Sequence, residues 1–304
     1  MVLNTLTTSL IENIPHTNIP SEIDLVLDGG AFNGLYMLGC LYYLKELENR
    51  EKLQIKRISG CSIGSVLGLV FIINKLDVAL DVCKDAFKYL RRHQDLKKFI
   101  VIFKDRFNQI VDESDMIKLN GRFYLTYFDA IKGKQIIKKN YSTKQELLDY
   151  VLKSLYVPYI IDRNITDRDG CIDGAFPYMF KKKEGKRKIL FINLQSWDKI
   201  MKMLYIKNEN NIYPRVFEGL MDAHNFFNTN KANNLCSYVN DWGVVEIILF
   251  RMRESIYTVL IYILGIGLQL DDLIPNNWKN IPIIQKNMSI FKNLWRDMIL
   301  YISI

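Results

Sequence analysis

Two short glycine-bearing stretches, Asp28-Gly29-Gly30-Ala31-Phe32-Asn33-Gly34 and Gly60-Cys61-Ser62-Ile63-Gly64, each follow one apolar run and open another. That is how a strand, a tight turn and a helix read from sequence. Strand, helix, strand and helix at this spacing is the βαβ signature of a parallel sheet with helices on its faces. Ile23–Leu27 reads as the first strand, 34–50 as a helix, Gln54–Ser59 as the second strand and Ser65–Leu76 as a buried helix. Both glycine turns then fall at the carboxyl ends of their strands, the edge where open α/β sheets bind ligands.

The second turn has the Gly-x-Ser-x-Gly spacing of a nucleophile elbow. Such a turn holds the serine in a strained conformation at the strand end, and Gly60 and Gly64 give the backbone room. The first turn, closed by Gly34, offers backbone N–H groups at a helix N-terminus, where unpaired donors and the helix dipole stabilise negative charge. A serine nucleophile beside an anion-stabilising loop points to acyl transfer. The bland alternatives are an ordinary helix N-cap at Ser62, a plain turn at Gly29–Gly30 and a common turn at Asp173–Gly174. A nucleotide loop is a poor fit, because Gly-x-Gly-x-x-Gly and Gly-Lys-Ser/Thr are both missing. Cys61, one residue before the serine, is expected to point away into packing.

A chain of 304 residues that is 49% hydrophobic can bury a sizeable core. Its net charge of +8 favours anionic partners, and nucleic acid and anionic membrane both qualify on charge alone. The five cysteines, Cys40, Cys61, Cys83, Cys171 and Cys236, are widely spaced and contain no Cys-x-x-Cys. Neither a zinc site nor a disulfide framework is indicated, and a reducing, cytoplasmic compartment fits best. Residues 1–20 read as a loose lead-in with no secretory signal. Abundant lysine, asparagine and isoleucine suggest an AT-rich genome, that of a microbe or a large virus. Ile256–Leu270 is almost wholly apolar but shorter than the roughly 20 residues of a spanning helix. It is expected to be a buried core helix, with an interfacial helix as the alternative.

Residues 77–155 read as largely helical, Tyr156–Ile161 as a strand, Asp162–Gly174 as an aspartate-rich loop and Lys188–Leu194 as a further strand. From Trp197 onward the pattern is helical with asparagine-rich breaks. Three parts are thus expected: a lead-in over 1–20, an α/β domain over 21–200 and a helical extension packed on it over 201–304.

With these motifs in view, the chain resembles the patatin-like phospholipases. The pattern of that family is a glycine-rich oxyanion loop, then Gly-x-Ser-x-Gly, then a distant Asp-Gly-Gly or Asp-Gly-Ala. The three parts occur here in that order, the last as Asp173-Gly174-Ala175. The resemblance covers roughly residues 23–195 and implies a three-layer α/β/α fold with a central, mainly parallel sheet. It implies a lipid acyl hydrolase of the phospholipase A type, independent of calcium and without a cofactor or metal. Ser62 would be the nucleophile, Asp173 the base, and Gly29, Gly30 and Ala31 the oxyanion donors. Two positions depart from the family: Ala31 stands for the third glycine of the loop, and Asn33 for its usual basic residue.

The partner implied is a phospholipid or another acyl lipid, met at a membrane surface through basic clusters such as Lys181–Lys188. A nucleic-acid partner is not expected, since no recognised nucleic-acid fold presents that charge; the oligomeric state stays open. Two alternatives remain. One is a catalytically weak relative that binds lipid or protein. The other is a Ser–His–Asp esterase using His224; the remaining histidines, His16 and His93, lie in polar or charged runs.

Overall fold

The computed structural model describes residues 2–12, 14, 19–93, 96–158, 161–162, 164–181, 187–203 and 209–273, with the isolated positions 282, 286 and 290. In chain order the helices are α1 (Val2–Glu12), α2 (Gly34–Asn49), α3 (Ile63–Ile72), α4 (Leu76–His93), α5 (Leu96–Ile110), α6 (Asp115–Leu119), α7 (Lys144–Ser154), α8 (Tyr213–Thr229) and α9 (Val244–Leu273). The strands are β1 (Glu22–Leu27), β2 (Gln54–Cys61), β3 (Phe123–Asp129), β4 (Lys134–Lys138), β5 (Cys171–Asp173), β6 (Lys188–Ile192) and β7 (Cys236–Tyr238).

Among the described residues the strands form one sheet in the order β4-β3-β2-β1-β6-β7, with β5 also paired to β3. β3, β2, β1 and β6 run parallel, while β4, β5 and β7 are antiparallel to their neighbours. This is the three-layer α/β/α arrangement with a mainly parallel sheet that the βαβ pattern predicts. A parallel strand covered on both faces needs apolar side chains on both. In β1, Leu25 and Leu27 enter the core shared with α1, α2, α3 and α8, whereas Val26 enters a second cluster with Phe180, Ile189, Phe191 and Phe250. Buried Asp24 is tied to Arg57 at 2.7 Å and to Arg187 at 3.2 Å.

Four expectations about where helices and strands form need correction. The lead-in contains α1, because Leu3, Leu6, Leu10 and Ile11 recur at helical spacing and pack against the core. The stretch 77–155 contains the β3–β4 hairpin, whose loop holds Gly133 at φ 62°. No strand forms at Tyr156–Pro158, and residues 159–160 lie outside the described residues; the strand in that region is β5, within the expected polar loop. The segment beyond 200 is not purely helical, since β7 extends the sheet beside β6.

α8 lies on α2 with the two backbones touching. A β-carbon on Gly39 would sit 1.9 Å from the Val216 carbonyl oxygen, and one on Gly219 would sit 1.9 Å from that of Tyr36. Neither backbone can yield without separating the helices. Gly219→Ala is therefore expected to destabilise the chain by about 2–3 kcal/mol through overpacking, read as a lower urea midpoint; an unchanged midpoint would contradict this contact.

Candidate active site

β2 ends at Cys61 and α3 begins at Ile63, leaving Ser62 at the apex with φ 50° and ψ −130°. A non-glycine residue there is strained by roughly 1–3 kcal/mol. The turn is tight: a β-carbon on Gly60 would lie 2.4 Å from the Gly64 carbonyl oxygen, and one on Gly64 2.6 Å from that of Asp28. The Ser62 N–H donates to Ser154 Oγ at 2.9 Å, and its carbonyl accepts from Ser65 N and Oγ at 2.9 and 2.6 Å. Ser62 occupies the N-cap position of α3, yet its side chain makes no capping hydrogen bond. The plain N-cap reading therefore fails, and the hydroxyl is directed elsewhere.

Ser62 is brought beside Asp173 by how β2 and β5 share one edge of β3. β4 occupies one side of β3 across Leu125–Asp129. On the other side β2 pairs as far as Cys61↔Thr126, and β5 takes over at Tyr127↔Asp173. Adjacent residues of β3 thus hold the end of the strand leading into Ser62 and the end of the strand carrying Asp173. Asp173 N donates to the Tyr156 carbonyl at 2.8 Å, and its Oδ1 accepts from Ala175 N at 2.9 Å. Gly174 is needed here because a β-carbon would lie 2.4 Å from the Thr126 carbonyl oxygen. Burial pushes the Asp173 carboxyl up to about 6, opposed by hydrogen bonds from the Ser62 side chain and the Ala175 N–H.

The first glycine turn rides over this pair. A β-carbon on Gly29 would come within 3.2 Å of both Cys61 Sγ and Ser62 Cβ. The Gly29 N–H, expected as an oxyanion donor, instead donates to its neighbour Asp28 Oδ1 at 3.0 Å. The Gly29 and Gly30 carbonyls are held by Gln195 Nε2 at 3.0 Å and Asn33 N at 2.9 Å. Among the described residues nothing accepts from the Gly30 and Ala31 N–H groups, which leaves these two as the candidate donors. Ala31 adopts φ 43°, the left-handed conformation that its alanine tolerates less well than glycine. Gly34 begins α2 against Ile63, where a β-carbon would lie 2.4 Å from Cγ1.

Two arginines from the far end of the chain stand behind the loop, and sequence reasoning missed both. Arg253 of α9 makes a paired contact with fully buried Asp28, at 2.8 and 3.1 Å. Burial pushes the Asp28 carboxyl up, and Arg253 with the Gly29 and Leu194 N–H groups opposes it. Arg215 of α8, also buried, donates to Asn33 Oδ1 at 3.1 Å, while Asn33 Nδ2 donates to the Leu194 and Lys199 carbonyls at 2.8 Å each. The Arg215 guanidinium is itself ion-paired to Glu209, so it fixes the Asn33 amide and supplies no free charge there. Ser154 was missed as well; a helix-terminal serine carries no local sign that it will reach Ser62.

His224 does not join the site. Its Nδ1 lies 3.3 Å from Tyr43 Oη, and Tyr43 is about 14 Å along α2 from Gly34 at 1.5 Å per residue. Cys61 is fully buried, and burial pushes its thiol up, in keeping with packing. Among the described residues no His, Cys, Asp and Glu cluster could hold a metal. Of the basic run 181–188, residues 182–186 lie outside the described residues, while Arg187 and Lys188 are committed to Asp24 and Asp241.

The family model for patatin-like phospholipase matches residues 25–139. Over those residues the chain is similar to the patatin-like phospholipases. A comparison with curated proteins finds no match. The matched residues hold the glycine loop and Ser62 but end before Asp173, whose place beside Ser62 rests on strand register instead.

Ser62→Gly, which relieves the positive φ, is expected to stabilise the chain by about 1 kcal/mol, whereas Ser62→Ala is not; chemical denaturation compares them. The Asp173 carboxyl has a higher pKa folded, about 6, than its ordinary 3.8. The folded state therefore binds more protons in that window, and stability falls as pH rises from roughly 4 to 6. Asp173→Asn is expected to remove that fall; denaturation midpoints across the window, with wild type and variant in parallel, check it.

Proposed function

We propose that the chain is a lipid acyl hydrolase of the phospholipase A type, working through Ser62 and Asp173 without a histidine. The single observation that carries this reading is the meeting of β2 and β5 on adjacent residues of β3, which sets Ser62 beside the buried Asp173 carboxyl. The patatin-like match over 25–139 supports a lipid acyl substrate.

A serine hydroxyl needs a neighbouring base. An ordinary carboxylate is too weak for that task, but one raised toward 6 takes a proton more readily and is still mostly ionised at neutral pH. As Ser62 Oγ bonds to the ester carbonyl carbon, its proton passes to Asp173. The carbonyl oxygen becomes an oxyanion, accepted by the Gly30 and Ala31 N–H groups, each such donor contributing roughly 3–4 kcal/mol to the barrier reduction. Collapse breaks the ester C–O bond, and the departing lipid alkoxide takes the proton from Asp173. Water then attacks the acyl carbon and gives a proton to Asp173; the acyl–Oγ bond breaks, Ser62 Oγ takes that proton back, and the fatty acid leaves.

A second reading, a lipid binder with little turnover, has one specific support: the Gly29 N–H is committed to Asp28, leaving two donors where three were expected. A fluorophosphonate probe separates the two readings. The hydrolase predicts labelling that Ser62→Ala abolishes and that Asp173→Asn slows by roughly 10²–10⁴, while His224→Ala changes the rate by less than about threefold; absence of any labelling favours the binder. For an ester substrate, kcat/KM is expected to rise with pH along a limb near 6, because only ionised Asp173 accepts the proton. A profile flat from pH 5 to 8 would contradict the assignment.

A further inference from the structure

α9 has two apolar faces, and only one of them is covered. On the inner face Phe250 packs with Phe191 and Trp242, Arg253 holds Asp28, the Tyr257 hydroxyl donates to Gln195 Oε1 at 2.8 Å, and Ile261 joins Phe128, Tyr156 and Ile172. On the outer face Val245, Ile248, Leu249, Met252, Ile256 and Val259 are each more than half exposed. At about 100° per residue those six side chains fall within an arc of about 100°. The charged residues Glu246, Arg251, Arg253 and Glu254 all fall outside that arc. A buried core helix was expected from Ile256 onward, so the exposure of Ile256 and Val259 is a correction. An uncharged, wholly apolar strip over four turns marks an interaction site, not a solvated face.

We propose that this outer face of α9 docks on the surface of an anionic phospholipid bilayer. Three observations select lipid over a second copy of the chain. First, the helix that bears the strip also anchors the glycine loop of the candidate active site from its inner face, through Arg253–Asp28 and through Tyr257–Gln195, whose amide holds the Gly29 carbonyl. Second, the loop after β6 that carries Gln195 presents Trp197 at 88% and Met201 at 82% exposure. Tryptophan is a residue favoured at headgroup depth. Third, the chain carries a net charge of +8, with Arg251 exposed at the edge of the strip and paired only within its own helix, to Glu254. That charge attracts anionic lipid and repels a second copy. Among the described residues no helix is long and apolar enough to cross a membrane, so the helix lies on the surface.

The proposal deepens the hydrolase reading, since docking there presents the loop and Ser62 to lipid at the interface, but its test needs no turnover. Ser62→Ala protein is sedimented with vesicles of phosphatidylcholine alone and of phosphatidylcholine mixed with phosphatidylglycerol. The expected result is tighter binding to the anionic vesicles, reduced at least about tenfold by adding Met252→Glu and Ile256→Glu. Trp197→Ala with Met201→Ala, on the neighbouring loop, should weaken binding independently if the helix pair disturbs folding. In the Ser62 background, Met252→Glu with Ile256→Glu should leave hydrolysis of a short-chain soluble ester within about twofold. Vesicle binding that is absent, or unmoved by both pairs, overturns the proposal. So does a concentration-dependent dimer in solution that the glutamates dissolve. Vesicle binding with no hydrolysis of any ester would instead overturn the hydrolase reading and leave the docking surface standing.

Discussion

Strand β3 holds two strands end to end along one edge, with Thr126 paired to Cys61 and Tyr127 paired to Asp173. Backbone hydrogen bonding, not side-chain packing, therefore sets the distance between the serine and the carboxylate. The two residues arrive from opposite directions, β2 parallel to β3 and β5 antiparallel, so each strand terminates where the other does. Three unfavourable features sit at that junction: the positive φ of Ser62, the positive φ of Ala175 and a carboxyl desolvated enough to be raised to about 6. Strain and desolvation of this kind persist only where the surroundings over-determine them. Here the surroundings are a sheet buried on both faces and a helix, α3, that is apolar almost throughout.

A second layer of constraint comes from beyond the family-matched residues. Asp28 ends the first glycine turn's strand and has to be buried there, which is tolerable only with a charged partner. That partner is Arg253, on a helix that begins at Val244. Arg215, ion-paired to Glu209, also holds Asn33 by a hydrogen bond, and Asn33 is itself bonded to the Leu194 and Lys199 carbonyls. The loop is thus gripped from two directions, and its carbonyls are turned toward Gln195 and Asn33. What remains without an acceptor among the described residues is the pair of Gly30 and Ala31 N–H groups. The C-terminal third therefore takes part in building the loop and does not merely lie against it.

Much of this was legible in the residues. The two glycine turns, their strands and their following helices are where periodicity and glycine spacing put them, because those signals are local. Ser62 and Asp173 could be named from motif order, although Asp-Gly-Ala alone says nothing about contact. The hairpin of β3 and β4 was hidden because it sits between helical segments of mixed charge, and its short strands carry little periodic signal. The helix α1 was hidden in a polar-looking start whose leucines show their purpose only against the core. Ser154, Arg215 and Arg253 were beyond reach for one reason: each acts across a long sequence separation through a side chain with no neighbouring motif. The engagement of the Gly29 N–H by Asp28 is likewise a matter of side-chain rotamer, which spacing does not encode.

The most direct test of the account is a crystal structure of the chain after reaction with a phosphonate ester. The account predicts phosphorus bonded to Ser62 Oγ, the phosphonyl oxygen within hydrogen-bond reach of the Gly30 and Ala31 N–H groups, and the Asp173 carboxylate beside Oγ. Phosphorus on another residue, or an adduct at Ser62 with Asp173 turned away and the loop N–H groups facing elsewhere, would contradict it.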